Sequence, residues 1–149
     1  MVAQDRIDLR NFIKRILRSQ QFGVLATESQ GQPYCSLVAF AETPDLASLL
    51  FVTPRNTQKY SNALSSGKVS ILIDTREGIK TDIKKAVALT AIGSIREAVA
   101  AERDELLIIY SSKHPSLINF TRSTENALMK ISTTYFIVSS FDKTQRFRI

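Results

Sequence analysis

The turn Pro54-Arg55-Asn56-Thr57, followed closely by Lys59, gathers a guanidinium, an amide, a hydroxyl and an ammonium group between an apolar run ending at Thr53 and a segment of helix formers, Tyr60 to Ser66. Backbone N–H groups at a helix start lack partners and carry the positive end of the helix dipole, so an anion can take the place of the missing acceptors. Hydroxyls and cations beside them add charge-assisted bonds. The chemistry these residues suit is capture of a phosphate. The same types also have a plainer use, because Asn56 or Thr57 can simply cap the helix, and on local evidence alone that is the commoner role.

Other chemistries find little support. One cysteine, Cys35, cannot form an internal disulfide, and with one histidine, His114, the usual soft ligands of a zinc site are missing. No metal site is expected. Cys35 falls inside a predicted strand, where a small buried thiol is the expected state. No catalytic triad or paired-carboxylate pattern can be recognised.

The net charge of +6, from 20 basic and 14 acidic residues, raises the question of nucleic acid. The bases are spread along the chain, and no zinc-finger spacing, aromatic RNA-binding strand or basic zipper is present, so no nucleic-acid partner is expected. An anionic small molecule accounts for the surplus equally well. Nor is a membrane partner expected. No segment approaches the roughly 18 uninterrupted apolar residues of a spanning helix, and Asp5, Arg6, Asp8 and Arg10 interrupt any apolar leader. A cytoplasmic protein is the expectation. With 149 residues and 44% hydrophobic content, residues 1–149 are expected to form a single domain.

The elements that must position the turn follow from periodicity. Leu9, Phe12, Ile13, Ile16 and Leu17 share one face of a helix over Asp5 to Gln20, with Arg6, Arg10, Lys14, Arg15 and Arg18 on the other, a basic face that could touch a membrane or nucleic acid but whose commoner meaning is solvation. Phe22 to Thr27, Tyr34 to Ala41 and Ala47 to Thr53 read as strands joined by turns at Glu28 to Pro33 and Glu42 to Asp45. Turns this short make the pairing antiparallel. Both faces of Tyr34 to Ala41 are largely apolar, as in a closed barrel. Gly67 sits where a helix ends in a left-handed residue, and Val69 to Ile73 resumes the sheet.

Thr75 to Lys85 is polar and basic, and is the expected mobile loop. Ala86 to Arg96 is a long strand in which Gly93 marks a bulge or a close approach. Val99 to Ser112 is helical, Lys113-His114-Pro115 breaks it, and Pro115 can open a second short helix. Ala127 to Phe141 is a long strand, followed by a basic tail with Lys143, Arg146 and Arg148.

The succession of helix, hairpin with Gly31-Gln32-Pro33, strand, Thr53, turn, Lys59, helix and strand resembles the pyridoxamine 5′-phosphate oxidase-like flavoproteins over roughly Phe12 to Phe141. The resemblance implies a mostly β fold with flanking helices, the six-stranded antiparallel split β-barrel that binds FMN. Carried over by position, Thr53 would bond the flavin or its ribityl chain, and Thr57 and Lys59 would hold the phosphate. Gln58 stands where the family often has arginine, and Arg55 could supply that charge. Ser36-Leu37-Val38 matches the strand whose backbone lies along the isoalloxazine ring, although the oxidases have arginine at the Ser36 position.

The oxidases end in an arginine- and histidine-containing segment that binds the pyridoxal ring and its phosphate, and DKTQRFRI here has no histidine. The resemblance therefore extends to a flavin-dependent oxidoreductase acting on a small-molecule redox substrate, and not to pyridoxamine phosphate oxidation. It also implies a homodimer with flavin sites between subunits. The alternative is a non-enzymatic module using the same groove for flavin, deazaflavin or haem. His114 is the one candidate haem ligand, and a polar residue at a helix end is its expected role.

Overall fold

The computed structural model describes residues 3–76 and 82–149. Helix α1 (Ala3–Ser19) leads into strands β1 (Phe22–Ser29), β2 (Gln32–Glu42) and β3 (Ser48–Pro54), helix α2 (Gln58–Ser66), and strands β4 (Lys68–Asp74) and β5 (Ala88–Glu97). Helices α3 (Ala100–Lys113) and α4 (Ile118–Arg122) precede the long strand β6 (Asn126–Ser139) and a last strand, β7 (Thr144–Arg148). Neighbouring strands run antiparallel in the order β3-β2-β1-β4-β5-β6-β7, and a further β3–β6 ladder closes the first six into a barrel. The expected six-stranded antiparallel barrel with flanking helices is the observed fold.

Alternation along each strand decides what fills the barrel. Leu25, Val38, Phe40, Leu49, Phe51 and Ile71 point inward and share one buried cluster with Leu9, Ile13, Ile16 and Leu17 of α1. The apolar stripe of α1 thus stoppers the barrel where β1 begins. At the opposite end α2 lies against β1, with Ala63 in the same cluster. Outward-facing Ala41, Leu50 and Leu128 form a second cluster with Leu106 and Tyr110 of α3, which covers that part of the wall.

Two glycines matter to this geometry. Gly67 ends α2 at φ 67°, donating its N–H to the Ala63 carbonyl, as the left-handed helix end expected from sequence. Opposite Gly93 the β5–β6 register shifts, and a Cβ there would lie 2.2 Å from the Ser132 carbonyl oxygen. The strands approach closely because Gly93 has no side chain.

Three expectations need amendment. The basic tail is not a tail, because Thr144–Arg148 pairs with β6 as β7 and buries Phe147. Cys35 is exposed rather than buried, since it faces outward on a part of β2 that no helix covers. Of the expected loop Thr75 to Lys85, residues 77–81 lie outside the described residues, and Ile83–Lys85 forms a single 3₁₀ turn capped by the Asp82 carboxylate.

Candidate functional site at the split between β2 and β3

Strands β2 and β3 pair only from Phe40 to Glu42 on one side and Leu49 to Phe51 on the other. Beyond that point β2 continues to pair with β1, and β3 with β6, but the two part from each other. The wall is therefore split. Buried backbone polar groups need partners, and Tyr110 of α3 meets the need where the strands separate, donating its hydroxyl to the Ala39 carbonyl at 3.2 Å. Burial pushes the Tyr110 phenol up to about 12.

The split is bordered by the sequence-predicted residues. On β2, Val38 and Ser36 point inward, Leu37 points out and is 67% exposed, and the Ser36 hydroxyl is buried without a hydrogen-bond partner. On β3, Thr53 is buried and its Oγ1 lies 3.1 Å from Oγ1 of Thr57. Thr57 occupies the N-cap position of α2 yet makes no side-chain cap bond. Its hydroxyl donates instead to the Pro54 carbonyl at 2.9 Å. The first-turn amides of α2 are consequently left without a side-chain acceptor. Lys59, in that turn, is half-buried and forms no ion pair among the described residues.

Gln58 and Arg55 have other engagements. Gln58 Nε2 donates to Asn62 Oδ1 at 2.6 Å, Asn62 Nδ2 donates to Thr27 Oγ1 at 3.1 Å, and the Thr27 hydroxyl donates to the Tyr34 carbonyl at 3.4 Å. This chain fastens the first turn of α2 to the β1–β2 hairpin. Arg55 forms a two-pronged ion pair with Glu97 at the end of β5 and donates from its third nitrogen to the Thr124 carbonyl at 2.7 Å. Tyr60 donates its hydroxyl to the same Glu97 carboxylate at 2.8 Å. Bonds from Arg55 first, then Tyr60, hold the Glu97 carboxyl below the usual carboxylate range, and that carboxylate in turn raises the Tyr60 phenol.

The sequence expectation named the turn and the β2 segment but missed Glu97, Tyr60, Asn62 and Tyr110. Tyr60 and Asn62 carry a readable signal, since they lie three and four residues beyond Thr57 and Gln58 on one helix. Glu97 and Tyr110 carry none, because their partners are far away in sequence. His114 proves to be a helix-end residue as expected, the C-cap of α3, buried with Nε2 2.7 Å from the Phe40 carbonyl. Among the described residues no group of metal-ligating side chains converges, and no helix is long and apolar enough to cross a membrane.

Residues 9–127 match the family model of pyridoxamine 5′-phosphate oxidase. Comparison with curated protein sequences finds no match. Among solved structures, a haem-binding protein from Mycobacterium smegmatis aligns with a TM-score of 0.79 at 12% identity, over 89% of this chain and 55% of that one. The chain thus spans about half of that protein's length. An FAD-binding protein from Mesorhizobium loti aligns at 0.68 and 15% identity, over 85% of this chain and 89% of the other. A Clostridium acetobutylicum protein related to general stress protein 26, of the pyridoxinephosphate oxidase family, aligns at 0.69 and 12% identity, over 100% and 97%. At these identities the structures speak to the fold alone, and it is the family model, covering most of the chain, that makes this protein a member of the pyridoxamine 5′-phosphate oxidase family.

Proposed function

We propose that the chain binds FMN in the split between β2 and β3 and serves as a flavin-dependent oxidoreductase for a small-molecule redox substrate. The observation that carries this reading is the start of α2, where Thr57 turns its hydroxyl away from the helix and leaves the first-turn amides to another acceptor. A phosphate monoester suits those amides in charge and in acceptor number. Thr57 and Lys59 are the residues proposed to hold it, and Thr53, one hydroxyl further in, would bond the ribityl chain. The unpaired edge of β2 at Ser36, Leu37 and Val38 offers backbone groups to the polar edge of a flat ring. FMN, when bound, supplies the hydride chemistry. The chain's own task is orientation, exclusion of water and phosphate capture.

A haem reading, suggested by the Mycobacterium smegmatis relative, calls for an axial ligand. The one histidine, His114, is buried with Nε2 on the Phe40 carbonyl, which speaks against its serving as that ligand.

The homodimer belongs to the same proposal. Outward-facing Leu37, Val24, Leu72, Thr90 and Ile137 lie side by side across β2, β1, β4, β5 and β6 in one continuous row. Leu37 and Leu72 at its one end are exposed, and no helix lies over them. A second copy seated on this face would bury the apolar row and complete the mouth of each split.

Purified protein titrated with FMN tests the reading. Saturable quenching of flavin fluorescence, with FMN released intact on denaturation, is the expected result. Protein that takes up no FMN at any concentration would leave the non-enzymatic alternative.

A further inference from the structure

We propose that Glu97 is an affinity- and specificity-determining residue of the phosphate cradle, a built-in carboxylate competitor that keeps Arg55 off the ligand. The inference rests on the phosphate reading of the α2 start. Arg55 belongs to the turn itself, and its guanidinium is a natural phosphate clamp, yet two of its nitrogens face the Glu97 carboxylate and the third faces the Thr124 carbonyl. A carboxylate and a phosphate compete for the same planar fork of donors. Tyr60, from the first turn of α2, holds the carboxylate in place from the other side.

The pair is not sealed in the core. The Arg55 side chain is 40% exposed, and a cavity of about 340 Å³ lined by Pro54, Arg55, Asn56 and Glu125 lies against it. Room for an anion therefore exists beside a guanidinium whose charge Glu97 cancels. With Arg55 neutralised, the cradle's free positive charge is Lys59 together with the roughly half charge of the helix start. Removing the carboxylate charge would add a full positive charge without altering the backbone. Glu97→Gln does this while keeping an oxygen for Tyr60 and Arg55.

The phosphate contribution is read from the ratio of FMN to riboflavin affinity, because the two ligands differ only by that group. Wild type, E97Q, R55A and R55A/E97Q are titrated with both. E97Q is expected to tighten FMN about tenfold, the worth of one charge-assisted bond, and to leave riboflavin unchanged. The gain should vanish in R55A/E97Q relative to R55A, which assigns it to Arg55. A carboxylate that merely braces the turn would give the opposite, weaker binding of both flavins in E97Q. Equal or weaker FMN affinity in a folded E97Q protein overturns the proposal while leaving the FMN reading intact. Glu97→Ala substitutes for E97Q if the latter does not fold. If wild type binds neither flavin, the FMN reading fails and masking is tested with inorganic pyrophosphate: a thermal midpoint raised in E97Q and not in wild type supports it, and no difference between them overturns it.

Discussion

The hydroxyl of Tyr110 occupies, at the Ala39 carbonyl, the place a β3 amide would take if β2 and β3 stayed together. Helix α3 is therefore part of the barrel wall, and its aromatic residue lets the sheet open without orphaning that backbone group. Tyr110→Phe should lower stability by roughly 1 to 3 kcal/mol, since a buried acceptor loses its partner while the ring still packs. Urea unfolding measures this, with the exposed Tyr34→Phe as the comparison. Equal midpoints for the two variants would show that the carbonyl finds another donor.

Lys59→Ala should weaken FMN binding by roughly ten- to a hundredfold, the equivalent of about 1.5 to 3 kcal/mol for a bond to a charged group. Lys68→Ala, at the exposed start of β4 and outside the cradle, provides the control. Fluorescence titration that returns the same affinity for both removes Lys59 from the site.

Self-association should depend on the outward row of β1, β2 and β4. Leu37 is largely exposed in one copy, so Leu37→Asp costs a single copy little, whereas at a two-fold interface it places charges in an apolar contact twice over. Sedimentation equilibrium is expected to show a dimer for the wild type and a monomer for the variant. A wild-type monomer at micromolar concentration contradicts the dimer outright.

Glu102 links three elements, pairing with Arg96 of β5, with Lys130 of β6 at 3.0 Å, and with the Val99 amide at the head of α3 at 3.2 Å. Hydrogen bonds from Arg96 first, and then Lys130, draw its carboxyl down from 4.5 to about 2. A folded value below the unfolded one means that its stabilisation is fully present above about 4.5 and is lost as the pH falls towards about 2. Glu102→Gln should be less stable than wild type at neutral pH and should show a flatter decline across that acid window. Thermal unfolding at several pH values checks both, and parallel curves would assign the acid sensitivity elsewhere.

Much of the fold was legible because local signals agreed with it. Short turns forced antiparallel strands, Gly67 announced a helix end, and Gly93 marked the one place where β5 and β6 crowd each other. The residues lining the cradle were legible as types, Thr53, Thr57 and Lys59 above all. Their engagements were not. Arg55 looked like a spare cation until Glu97 arrived from 42 positions away, and Gln58 looked like a weakened phosphate ligand until Asn62, itself held by Thr27, took its amide. Strand β7 escaped notice because Phe147 is its one buried side chain, too little for a period of two to show. Cys35 was misjudged because both faces of β2 are apolar, and only the topology shows which face fills the barrel and that α3 covers the outward one at Ala41 but not at Cys35.

The ladder that closes the barrel joins Ser48 through Pro54 to Ser132 through Asn126. During synthesis, then, the first three strands can meet as a curled sheet but have nothing to close against until β6 emerges. Loop closure over so long a span comes late and is entropically expensive, which slows folding. Until that moment β3 presents an unpaired edge of apolar residues, the kind of surface on which nascent chains stick to one another. The barrel therefore closes only once β6 has emerged, and a fragment cut before residue 126 would be a candidate for chaperone capture.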